Sequence, residues 1–205
     1  MAAIIRSAAI YDLGTWLMTL GREPRLRARM LAPARLQAGE SVLDVGCGTG
    51  TLALLAKRQV GAVALVAGID ASAEMVARAA RKAHKAGLPV RFEQASADRL
   101  PFADDQFDAV LCTATLHHLP RGMRVDAVRE MRRVLKPGGR VLLVDFVFGQ
   151  RHTIASILHH QHGLKPSDLK LLVQEAGLHL VDQGAVGMWD LQYVVGLRQE
   201  QDNNA

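Results

Sequence analysis

The sequence predicts an α/β fold: a doubly wound sheet, mostly parallel, that closes at one edge with an antiparallel C-terminal hairpin. Three observations carry this. From residue 41 onward, short apolar runs of the kind buried in a parallel sheet alternate with longer stretches of helical period. Glycines, prolines and capping residues separate the two kinds of stretch. The last two apolar runs have no helix between them, so they pair antiparallel.

Residues 1–40 stand apart as an N-terminal helical cap. Trp16, Leu17 and Leu20, then Leu26, Met30 and Leu31, recur at helical spacing around a break at Gly21-Arg22-Glu23-Pro24, which predicts two short amphipathic helices. Residues 41–198 form the main domain, with strands predicted over 41–45, 65–70, 90–94, 107–113, 140–147, 178–184 and 191–197. Helices are predicted over 51–59, 73–86, 124–135 and 166–175. Ser72 caps the second of these and Gly87 ends it. Pro137-Gly138-Gly139 stops the third and turns the chain into a strand. Ser167 and Asp168 open the fourth, which Ala176-Gly177 closes. The polar stretch 199–205 reads as a flexible tail.

Composition narrows the function classes. With 205 residues, 49% of them hydrophobic, the chain has enough material for one sizeable core. The net charge of +5 is basic, yet aromatics make up only 4% and the Arg and Lys residues alternate with acidic or apolar ones, which argues against nucleic acid. Cys47 and Cys112 lie far apart with no Cys-x-x-Cys pair, so neither a zinc site nor a disulfide framework is indicated, and a cytoplasmic setting is the simplest fit. The longest apolar run, residues 60–69, is short of the roughly 18 residues a bilayer span needs. The first residues lack the pattern of a secretory signal.

The most informative segment is Val42-Leu-Asp44-Val-Gly46-Cys47-Gly48-Thr-Gly50. An apolar strand runs straight into three alternating glycines and then a helix. Such a turn lets a ligand approach the main chain closely, while the helix start offers N–H groups. Its Gly-x-Gly-x-Gly spacing differs from the Gly-x-Gly-x-x-Gly of dinucleotide folds and suits a ligand with an amino-acid moiety instead of a diphosphate. About 20 residues on, Asp70 ends the next strand, where a carboxylate grips the two hydroxyls of a ribose.

Taken with Gly68-Ile-Asp70-Ala71-Ser72, Leu100-Pro-Phe-Ala-Asp-Asp-Gln-Phe-Asp108 and Leu135-Lys-Pro-Gly-Gly-Arg-Val141, that segment resembles the successive motifs of the class I S-adenosylmethionine-dependent methyltransferases, nearest to the ubiquinone/menaquinone-biosynthesis type. The resemblance covers residues 41–147 best. It implies a Rossmann-like, seven-stranded sheet and S-adenosyl-L-methionine as cofactor. By it, Gly46, Cys47, Gly48 and Gly50 pass under the methionine part, and Asp44 orients the amino group. Asp70 and Ala71 face the ribose. At the adenine, relatives carry an Asp-Ala pair where this chain has Ser96-Ala97. Ala97 still offers its N–H, and either Ser96 or Asp98 accepts from the exocyclic amine.

The fourth strand ends in Thr113-Ala114-Thr115-Leu116-His117-His118, beside the glycine turn. A main-chain carbonyl at Thr113 or Ala114 could hold the ammonium, and His117 or His118 could serve as general base or shape the pocket. Tyr11 matches a tyrosine that caps the cofactor in relatives, its other reading being a core contact. Methyl transfer from a sulfonium is an in-line displacement that needs no protein nucleophile, and Cys47 reads as a packing residue.

Acceptor choice falls to the histidine-rich stretch 149–165. Ile154, Ile157 and Leu158 suggest a helical lid, and His159, His160 and His162 lack the carboxylate or cysteine partners of a metal site. Arg22, Arg25, Arg27 and Arg29, beside Trp16 and Leu17, read either as a solvated helix face or as a peripheral contact with an anionic membrane. So little structure added to the core favours a small-molecule acceptor, lipid-like or quinone-like, methylated on oxygen, nitrogen or carbon. The alternatives are a non-catalytic S-adenosylmethionine-binding protein and a nicotinamide-dependent oxidoreductase.

Overall fold

The computed structural model describes residues 23–147, 164–188 and 190–200. Seven strands form one sheet: β1 (Val42–Val45), β2 (Val66–Asp70), β3 (Arg91–Gln94), β4 (Phe107–Thr113), β5 (Leu135–Phe146), β6 (His179–Ala185) and β7 (Leu191–Leu197). Their order is β3-β2-β1-β4-β5-β7-β6. The first five are mutually parallel, while β7 runs antiparallel to both β5 and β6. The edge hairpin thus sits where the missing helix predicted it.

Five α-helices accompany the sheet among the described residues: α1 (Glu23–Leu31), α2 (Thr51–Val60), α3 (Ala73–Ala86), α4 (Arg121–Val134) and α5 (Pro166–Glu175). Every side chain of β1 is buried, because the strand has a core on each face. Val42 packs into the core with Leu26 and Met30 of α1 and Leu52 and Val60 of α2. Leu43 and Val45 point the other way, into the core that holds Val128 and Met131 of α4 and Leu169 and Val173 of α5. Asp44, two residues after Val42, therefore faces the α1 and α2 side. The part of the expected cap that is described, α1 with Ala34 and Leu36 behind it, is built into this core.

The local signals explain the helix ends. The Ser72 hydroxyl accepts from the Met75 N–H at 3.4 Å, and Gly87 closes α3 in the left-handed region at φ +63°. At α5 the expectation needs correction. Lys165, not Ser167, is the N-cap, with Pro166 in the first turn, and Asp168 reaches back to accept from the Lys165 N–H at 2.8 Å. Two further boundaries differ. Helix α4 starts at Arg121, directly after Pro120, three residues earlier than the apolar period suggested. Strand β5 begins at Leu135, the last residue of the helix that the apolar period predicts. Pro137, Gly138 and Gly139 form an irregular loop-out between Leu135, opposite Phe107, and Arg140, opposite Ala109.

Candidate cofactor site

A cavity of about 180 Å³ opens at the carboxyl ends of β1, β2 and β4. This is where an open parallel sheet binds ligands, since its neighbouring connections leave in opposite directions. The turn after β1 forms one wall. The N–H groups of Gly46 and Cys47 both donate to the Ile69 carbonyl at 2.8 Å, tying the turn to β2. Gly46 has φ +72°, and a Cβ there would stand 2.3 Å from Thr115 Oγ1, so the loop after β4 can close on the turn only over a glycine. Gly50, at φ +78°, lies outside the cavity lining, and a Cβ on it would strike Ala79 and Phe92. Its role is to let α2 approach α3 and β3.

Asp44 is the cavity's most unusual residue. It is 1% exposed, and among the described residues neither carboxylate oxygen has a hydrogen-bond partner. Its pKa is pushed up to about 7, chiefly by burial; Arg27 opposes the rise and Asp70 reinforces it. A weak pull from the Ala53 amide, too loose for a hydrogen bond, leaves the carboxylate unsatisfied. Burial, with help from Asp44 and Asp70, also holds the Cys47 thiol well above its usual range, which suits packing and not nucleophilic attack.

Asp70 is arranged differently. One oxygen accepts from the Gly48 N–H and the other from the Ser72 N–H, each at 2.9 Å. A carboxylate has about four acceptor positions, so one on each oxygen remains for a diol. Beyond it, Ala71, Ser96 and Ala97 line the cavity while Asp98 does not. The Ser96 hydroxyl donates to the Asp98 carboxylate, which places the serine at the wall.

The opposite wall is Thr113, Ala114, Thr115 and His118. Ala114 holds φ +51°, a left-handed conformation that a non-glycine residue adopts only under constraint. His118 lines the cavity and His117 does not. The His117 Nδ1 instead lies 2.6 Å from an oxygen of Asp145, a fully buried residue near the end of β5, and its backbone N–H reaches the other oxygen at 3.2 Å. The two imidazoles sit with centroids 3.9 Å apart. Of the site residues expected from sequence, Asp44, Gly46, Cys47, Gly48, Asp70, Ala71, Ser96, Ala97, Thr113 and His118 come together at the cavity. Gly50, Asp98 and His117 stand outside its lining, and Tyr11 and the lid segment lie outside the described residues.

Three contributors escaped the sequence reading. Arg27 turns inward, against both readings of it as a surface cation; its spacing of three and four residues from the buried Met30 and Leu31 was the available signal. Lys82 of α3 donates to the hydroxyls of Thr49 at 3.0 Å and Thr51 at 2.7 Å, bracing the turn from behind. Asp145, the anchor of His117, carries no motif. The donor set fits S-adenosylmethionine: an unsatisfied buried carboxylate for an ammonium, a second with spare acceptor positions for a ribose, and a glycine-lined wall.

Residues 42–139 match the family model of the methyltransferase domain. A ubiquinone/menaquinone biosynthesis C-methyltransferase from Bdellovibrio bacteriovorus is 39% identical over 139 residues, covering 68% of this chain and 58% of the relative. An S-adenosylmethionine-dependent methyltransferase from Aquifex aeolicus superposes with a TM-score of 0.69 at 25% identity, over 83% of this chain and 88% of that one. The cyclase SpnF superposes with a TM-score of 0.73 at 24% identity, over 85% and 80% of the two chains, which shows the fold alone. The chain spans less than two thirds of the length of such curated relatives.

Proposed function

We propose that this chain, which belongs to the class I S-adenosylmethionine-dependent methyltransferases, transfers a methyl group to an oxygen, nitrogen or carbon nucleophile of a small lipid-like or quinone-like molecule. The observation that carries the reading is Asp44. A carboxylate buried without a partner costs several kcal/mol unless a cation satisfies it, and an amino-acid ammonium is such a cation. Asp44 then holds the ammonium, helped by the carbonyls of Thr113 and Ala114. Asp70 takes the ribose hydroxyls, and Ser96 and Ala97 face the adenine. When bound, the cofactor supplies a methyl group already attached to a good leaving group.

What remains for the chain is alignment and the exclusion of water. For an oxygen or nitrogen acceptor, His118 at the wall is the group placed to take a proton, with His117 and Asp145 behind it. Tyr11 belongs to the same reading as a cap over the cofactor. A cytoplasmic setting also belongs to it, supported by the two buried unpaired thiols of Cys47 and Cys112.

Calorimetry with S-adenosylhomocysteine and with NAD tests the cofactor. The first is expected to bind, and Asp70→Ala to weaken it by about 1–3 kcal/mol, the scale of lost hydrogen bonds to a charged group. Binding of NAD alone would overturn the reading. A turnover screen over phenolic, amine and quinone-like acceptors tests the reaction. Tight cofactor binding without turnover on any of them would favour the non-catalytic alternative.

A further inference from the structure

We propose that the outward flank of α3, together with the loop that enters β2, is a docking surface for the anionic face of a lipid bilayer. The surface is independent of what the cavity holds; only its purpose, bringing the site to a lipid-like acceptor, rests on the reading above.

The placement of charge carries the case. Residues 75–92 contain five Arg and Lys residues and no Asp or Glu. The net charge of the whole chain is +5, so the rest of the chain balances to zero and the excess belongs to this one stretch. On α3 the cations follow the helical period. Met75, Ala79 and Ala83 form the buried stripe, while Arg78, Arg81, Lys82 and Lys85 share the adjoining flank. Like charges three and four residues apart repel and weaken a helix. The helix dipole compensates for this at Lys85, in the last turn, and not at Arg78 or Arg81. The Lys82 ammonium is engaged with the Thr49 and Thr51 hydroxyls, whereas Arg81 and Lys85 stand exposed. The other exposed positions of the helix in this stretch include Ala77, Ala80 and Ala86, which are too small to hold a flat surface away from the cations.

A second observation points to lipid. Strands β2 and β3 run parallel, so the last turn of α3, which leads into β3, lies at the same edge of the sheet as the loop into β2. That loop carries Val63, 95% exposed, and Leu65, 43% exposed. Arg58 in the last turn of α2 and Arg91 at the start of β3 are exposed at the same edge. Aliphatic side chains in water beside a field of cations are what a peripheral membrane protein presents: the cations meet the headgroup anions and the aliphatics enter the boundary beneath them. Helix α3 carries no Phe, Tyr or Trp on which a nucleic-acid base could stack.

The experiment is sedimentation of the full chain with vesicles of phosphatidylcholine, alone or mixed with phosphatidylglycerol. Wild type is expected to pellet with the mixed vesicles only, and less as salt is raised. Arg81→Gln and Lys85→Gln should each lower the partition about fivefold, the scale of one basic residue near an anionic surface. Val63→Ser should lower it as well. Arg129→Gln, which removes an exposed cation from α4 on the other face of the sheet, should leave it unchanged. None of these side chains lines the cavity, so calorimetry with S-adenosylhomocysteine should give wild-type affinity throughout. Failure to pellet with anionic vesicles, or pelleting that Arg81→Gln and Lys85→Gln share fully with wild type, overturns the surface and leaves the cofactor reading standing. Tighter binding to a mixed-sequence RNA or DNA duplex than to vesicles, lost in Arg81→Gln, overturns it in favour of nucleic acid.

Discussion

Asp44 concentrates the chemistry of the site at the scale of one residue. Its pKa near 7, against an ordinary 3.8, means that the folded ligand-free protein keeps a proton that the unfolded chain has already released between those values. Stability attributable to Asp44 therefore falls as pH rises from about 4 to 7 and is constant above. Cation binding works in the opposite direction, because it favours the ionised carboxylate. Affinity for S-adenosylhomocysteine is expected to rise as pH climbs through 7. Asp44→Asn should remove both effects: ligand-free melting at pH 8 rises relative to wild type, while ligand affinity drops and loses its dependence on pH across this range. Scanning fluorimetry and calorimetry between pH 5 and 8 check this, and a variant whose pH profiles overlay wild type would refute it. The neighbouring Asp70 is bonded differently. Two main-chain N–H groups satisfy it, and Asp44 has none.

Helix α3 shows how an element carries the site. Ser72 starts it by capping the Met75 N–H, while its own N–H supports Asp70. Ser72→Ala should cost about 1 kcal/mol, the usual worth of an N-cap. For a chain of this size that is a drop of roughly 2–4 °C in melting temperature. Because the variant keeps the backbone N–H, affinity for S-adenosylhomocysteine should stay close to wild type, and a large loss would show that the side chain itself serves the ligand. The ends of α3 were legible because Ser72 and Gly87 announce them locally. So were β1 and its glycines, where apolar period and turn chemistry agree. The start of β5 was not, since Leu135 is equally suited to ending a helix or entering a sheet; pairing with Phe107 decides it. Arg27 escaped for a related reason. A cation on an amphipathic helix reads as solvated until tertiary packing turns it toward a cavity. His117 and His118 are adjacent in sequence, and only Asp145, 28 residues away, sorts the anchored one from the one at the wall.

At the scale of the molecule, β1 and β4 lie side by side at the middle of the sheet, and the chain departs from them toward opposite edges. The cavity draws Asp44, the glycine turn, Asp70 and Ser96 from one half of the chain, and Thr113, Thr115 and His118 from the other. A ligand seated there stabilises the whole fold by mass action. S-adenosylhomocysteine at a hundredfold excess over its dissociation constant should add about 2.7 kcal/mol, or roughly 5–10 °C in melting temperature. An equal concentration of NAD should leave the melting curve where it was, and matching shifts from both would speak for a nucleotide site of low selectivity. The position of the cavity has a consequence for how the protein can fail. The Thr115 hydroxyl, within donating distance of the Thr113 carbonyl at 3.0 Å and the Gly46 carbonyl at 3.3 Å, packs its side chain directly over Gly46, so the two half-sheets meet at the rim of the pocket itself. A substitution anywhere along the β1 to β4 ladder that lets one half slip against the other will be felt first as lost affinity, with every ligand-facing side chain intact. The pocket is the seam of the molecule, and occupancy is the rivet.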